Sequence, residues 1–80
     1  MTLRFEPVEI ATKSADRDGR LVFSGDLLLA VLTLLSDQHA EHSGKWFLEI
    51  SFGHPWYQSA PLFDDLEAAG AWLATRERGS

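Results

Sequence analysis

Two apolar runs dominate the middle of the chain, residues 27–35 (LLLAVLTLL) and residues 46–52 (WFLEISF). The second is the cleaner signal. Trp46, Leu48, Ile50 and Phe52 alternate with Phe47, Glu49 and Ser51, the period-two pattern of a half-buried strand. The first run reads in two ways. As a helix, Leu27, Leu28, Val31, Leu32 and Leu35 fall on one arc, opposite Asp26, Ala30, Thr33 and Asp37. As a strand, its nine residues are apolar on both faces and of ordinary strand length. Turn signals bound it on both sides and its neighbours read as strands, so the strand is the preferred reading. The helical alternative, over residues 26–38, would leave two helices on a smaller sheet. Paired antiparallel, the two runs bring Leu35 near Trp46, Val31 near Ile50 and Leu29 near Phe52. Residues 36–45 (SDQHAEHSGK) then form a long hairpin loop.

Upstream, residues 3–12 read as a strand with a change of parity. Leu3 and Phe5 alternate with Arg4 and Glu6, but after Pro7 the apolar positions move to Val8 and Ile10. A parity change at a proline predicts a bulge, and the proline confines the segment to a sheet edge. Residues 13–19 (KSADRDG) form a polar turn, and residues 20–23 a short strand. Gly25-Asp26 is either a two-residue hairpin turn or part of a three-residue loop. The two differ by one residue in register, which leaves open the face that Val22 takes. Residues 53–61 (GHPWYQSAP) have no periodicity. A helix follows over residues 64–77, with Asp64 as N-cap and Glu67 three residues on. Leu66, Ala69, Gly70 and Leu73 make its apolar stripe, Arg76 and Arg78 suit its C-terminal end, and Gly79 stops it. The expected fold is α+β: an antiparallel meander of three or four strands with one C-terminal α-helix packed on one face.

Composition narrows the function classes. Eighty residues make a single domain spanning 1–80, and 45% hydrophobic residues suffice for a core. With no cysteine, disulfide scaffolds and thiolate metal sites are excluded. Net charge is −5, and the seven Lys and Arg residues are scattered, so the clustered cations that hold a phosphate backbone are missing and no nucleic acid is expected. The first ten residues (MTLRFEPVEI) lack the charge and continuous apolar core of a signal peptide. No apolar run approaches the ~20 residues of a spanning helix. The expectation is a soluble, cytoplasmic protein that binds no membrane.

Candidate chemistry is sparse. His39, Glu41 and His42 (HAEH) lie together in the connector, but His54 belongs to the far end of the next strand, so a solvated polar loop is expected and no metal site. No serine sits in a nucleophile elbow, no glycine-rich phosphate loop exists, and the pair Asp64-Asp65 is explained by a helix start. No catalytic residue and no cofactor is expected. The loop containing His54, Trp56 and Tyr57 reads either as a recognition loop for a peptide or small ligand, or as an aromatic cap on the core.

Counting faces adds one more expectation. The helix covers the face carrying Leu29, Val31, Leu35, Trp46, Leu48, Ile50 and Phe52. The other face then shows Leu28, Ala30, Leu32, Leu34 and Phe47, diluted only by Glu49 and Ser51, and Leu28, Leu32, Leu34 and Phe47 are the expected self-association residues of a homodimer. No motif specifies a biological role. The functional expectation is a non-enzymatic interaction protein that self-associates, with a further protein or peptide partner allowed. The alternative is a ligand- or metal-binding accessory protein using the aromatic loop or the HAEH connector.

Overall fold

Four short apolar segments, one of them cleanly alternating, build this chain into a sheet. A computed structural model describes residues 3–11, 17–36, 41–53 and 58–79, with side chains of the last segment described to residue 76. Strands β1 (Leu3–Glu9), β2 (Asp18–Ser24), β3 (Leu27–Leu34) and β4 (Trp46–Ser51) precede one helix, α1 (Leu66–Gly79). The strands pair in the order β1-β2-β3-β4, each antiparallel to the next. This is the expected α+β meander with its C-terminal helix, and the disputed run is a strand. Helix propensity separates residue types by at most about 0.7 kcal/mol each, glycine and proline aside. Burying one leucine side chain is worth about 1.5–3 kcal/mol. A central strand between β2 and β4 buries Leu32 completely and satisfies the backbone of β3 on both sides.

Ser24 pairs with Leu27, so Gly25-Asp26 is the two-residue turn, with Gly25 at φ 62°. A left-handed conformation at that position favours glycine. Directly paired residues share a face of the sheet. The helix side therefore carries the rows Phe5–Val22–Ala30–Ser51 and Pro7–Arg20–Leu32–Leu48, and then the pair Leu34–Trp46. Val22, Ala30, Leu32, Leu48, Ala69 and Leu73 are almost completely buried there, with Trp46 and Phe63 close behind. Helix α1 approaches closely because Gly70 is small: a Cβ at that position would lie 3.1 Å from Cζ of Phe5. Arg20 sits at the margin of this side with its guanidinium 5.1 Å from the Trp46 ring centroid.

Three sequence expectations are corrected. The register shifts between Val22 and Phe23 on β2, where Leu29 is the extra residue of β3, and again between Val31 and Leu32 on β3, where Glu49 is the extra residue of β4. Each bulge reverses the side-chain parity of its strand. Val31 still pairs with Ile50, and the Phe52 N–H donates to the Leu29 carbonyl at 2.9 Å, but Trp46 pairs with Leu34 in place of Leu35. Ala30, Leu32 and Leu34, expected on the uncovered face, consequently lie on the helix side. Val31 and Ile50 lie opposite. The second correction concerns Pro7. Pairing runs unbroken from Leu3–Ser24 to Glu9–Asp18, so the parity change needs no bulge. Leu3 and Phe5 serve the helix side and Val8 serves the other, while Pro7 occupies an edge strand as expected.

The third correction is the cap. Oδ1 of Asp65, not of Asp64, accepts the backbone N–H of Ala68 at 2.8 Å. That is the N-cap geometry for a helix whose first residue is Leu66. Asp64 instead pairs with Lys45, which holds its carboxyl below the usual carboxylate range. The hydrogen bond from Lys45 is the larger cause and its charge the second. Beside this pair, Trp46 and Phe63 exchange backbone hydrogen bonds of 2.7 and 2.9 Å. Phe63 meets Trp72 edge-on, with ring centroids 5.7 Å apart. The entry to α1 is thus tied to the start of β4.

Two measurements test this account. Asp65→Ala is expected to cost roughly 0.5–2 kcal/mol in denaturant titration, and Asp64→Ala clearly less, because only the former removes a cap. In Lys45→Met, the Asp64 titration followed by NMR moves up toward the ordinary aspartate value. The sign follows from linkage. The pair stabilises the fold above the unfolded aspartate pKa, and that contribution disappears as pH falls through the depressed folded value. The variant therefore loses the part of the acid dependence that Asp64 supplies.

Candidate interaction surface

The face away from α1 is built by the same registers. Its rows are Arg4–Phe23–Leu28, Glu6–Leu21–Val31–Ile50 and Val8–Gly19–Thr33–Phe47. Leu28, Phe47 and Ile50 are 37%, 39% and 38% exposed, and Val8, Leu21, Phe23 and Val31 are half-buried. No helix among the described residues lies on this side. Its charge in these rows is confined to β1. The Arg4 guanidinium stands 4.5 Å above the Phe23 ring centroid, and its Nε lies 3.3 Å from Oε1 of Glu6.

At one end of the face Ile10 folds over Gly19. A Cβ on Gly19 would come within 2.6 Å of Cδ1 of Ile10, so that position accepts no side chain without displacement. The Ile10 N–H donates to the Arg17 carbonyl at 2.8 Å, which holds the overhang in place. Beneath it Thr33 is buried, and its Oγ1 has no hydrogen-bond partner among the described residues.

The structure divides the four expected self-association residues. Leu28 and Phe47 are on the open face, whereas Leu32 is fully buried on the helix side and Leu34 packs against the core cluster. Leu21, Phe23, Val31 and Ile50 belong to the open face and escaped the sequence reading. Their signal was parity. Leu21 and Phe23 flank Val22 and must face away from it, and Val31–Ile50 follows once the bulges are placed. His54, Trp56 and Tyr57 lie outside the described residues, as does His39. His42 Nε2 is 3.7 Å from Oε1 of Glu41, and both side chains are exposed. Among the described residues no three potential metal ligands come together, and no helix is long and apolar enough to cross a membrane.

Four strands spaced by ~4.8 Å and three rows spaced by ~7 Å give an open face of about 400 Å² in projection. That area includes the charged Arg4 and Glu6 and the covered Gly19 and Thr33, so the exposed apolar part is smaller and lies below the roughly 500–600 Å² per partner of a specific interface. The chemistry available to it is burial of apolar surface.

The buried hydroxyl gives a test of the face from within. Thr33→Val keeps the shape and β-branching and removes a polar atom without a partner, so it is expected to stabilise the fold by about 1 kcal/mol in denaturant titration. A loss of stability would mean that Oγ1 is hydrogen-bonded in solution. Comparison of the chain with protein-family models, with curated proteins and with solved structures gave no match, so the function is read from the surface itself.

Proposed function

We propose that this protein is a non-enzymatic, cytoplasmic interaction domain that works as a homodimer, with the open faces of two sheets packed together. The supporting observation is the apolar set Leu21, Phe23, Leu28, Val31, Phe47 and Ile50 gathered on one side of the sheet. Burial of such a face is favourable at roughly 25 cal/mol per Å², against the lost freedom of two molecules. A second copy brings an equal apolar face, and two-fold dimers are the commonest closed assembly. Two faces of at most about 400 Å² bury little by the standards of stable complexes, so the proposed association is a weak one.

Sedimentation equilibrium from about 1 to 100 μM tests the reading, a span chosen around micromolar affinity. The wild type is expected to pass from monomer to dimer across it. Ile50→Glu is expected to remain monomeric at every concentration with its circular dichroism unchanged. Leu32→Glu is expected to unfold, since Leu32 lies on the opposite, fully buried side. A wild type that stays monomeric at the highest concentration would refute the proposal.

A further inference from the structure

Arg4 and Glu6 are two residues apart on β1 and share the open face, with side chains 54% and 49% exposed. Packing a second sheet over this face removes water from both. A charge that loses water must gain a counter-charge, or the covered state is strongly disfavoured. This constrains how two copies can meet.

A two-fold axis relating two packed faces lies in the plane between them, along the strands or across them. An axis along the strands, midway across the sheet, lays β1 over β4 of the partner, which sets Glu6 against the partner's Ile50 in the same row and buries the Arg4–Glu6 pair of each chain against hydrocarbon with no further partner. An axis across the strands lays β1 over β1. We infer that the copies pack about an axis that crosses the strands at the level of Phe5, so that Arg4 of each chain faces Glu6 of the other. The inference rests on the homodimer proposed above and specifies its geometry. Arg4 and Glu6 are about 6.6 Å apart along the strand, so this axis superposes each on the opposite charge of its partner. Guanidinium and carboxylate form the strongest class of charged hydrogen bond, and the planar fork of Arg4 suits it. The same axis sets Phe23 opposite the partner's Leu21 and Leu28 opposite the partner's Val31. The third row, Val8–Gly19–Thr33–Phe47, falls beyond this overlap, at the level of the partner's Gly25-Asp26 turn. Apolar residues of the first two rows meet apolar residues, and Arg4 and Glu6 are both answered, while the exposed carboxylate of Glu49 lies at the far edge, on β4.

Charge reversal in separate chains tests this arrangement. In Arg4→Glu, four carboxylates meet at the axis, and in Glu6→Arg, four guanidiniums. Each variant alone is expected to dimerise at least about tenfold more weakly than the wild type, as for like charges opposed across an interface. Mixed, they restore two Arg–carboxylate pairs across the axis, and native mass spectrometry is expected to show heterodimer well above the statistical half. The contact within one chain cannot produce that preference, because each variant carries like charges at both positions. Arg4→Gln mixed with Glu6→Gln repeats the test gently: one ion pair in the mixed dimer, none in either homodimer, and again an excess of heterodimer. A wild-type dimer whose variants mix statistically would overturn this axis and leave the homodimer standing. A monomeric wild type would overturn both.

Discussion

The structure depends on β3 having two apolar faces. Leu32 and Ala30 lie on one, Val31 and Leu28 on the other. A strand of this kind must be central, with neighbours on both edges and cover on both sides. Helix α1 supplies the cover on one side through Ala69 and Leu73. The other side keeps its apolar residues and has no helix among the described residues. The open face is therefore a direct consequence of the composition of β3, not an accident at the surface.

Much of this was legible in the sequence, and the misses share one cause. Period-two alternation identified β4, and the turn signals around residues 27–35 outweighed the leucine-rich appearance of a helix. Connectivity followed, because each strand is adjacent to the next in sequence and joined by a segment with turn chemistry. The faces did not follow. Leu29 and Glu49 are each one residue too many, and an insertion of one residue reverses every side chain beyond it. Neither bears a mark in the sequence: they are an ordinary leucine in a leucine run and an ordinary glutamate in an alternating strand. Pro7 carried the conventional mark of a bulge and has none, since an edge position already excuses its missing N–H.

The capping aspartate illustrates a smaller ambiguity of the same type. Asp64 and Asp65 are equally good caps by residue type. The choice is made by Lys45, which draws Asp64 toward the connector before β4 and leaves Asp65 to the helix. A contact nineteen residues away in sequence thus shifts the helix start. The candidate surface inherits this pattern: its chemistry, apolar with one charged edge, was readable from composition, but its membership was not.

The helix also has a position in time. During synthesis α1 is made after all four strands, and each strand pairs with its immediate predecessor, so local contacts can form the sheet first. Such a nascent sheet has two bare apolar sides and no helix to tell them apart. The bulges at Leu29 and Glu49 settle the matter in advance. They gather Val22, Ala30 and Leu32 on one side, in one buried cluster with Ala69 and Leu73 of the helix. The other side offers Phe23, Val31 and Phe47 with Arg4 and Glu6 along its rim, a surface with a charged border. Two irregular residues thus act as a sorting step, assigning one side to the chain's own helix and the other to the face that no described helix covers.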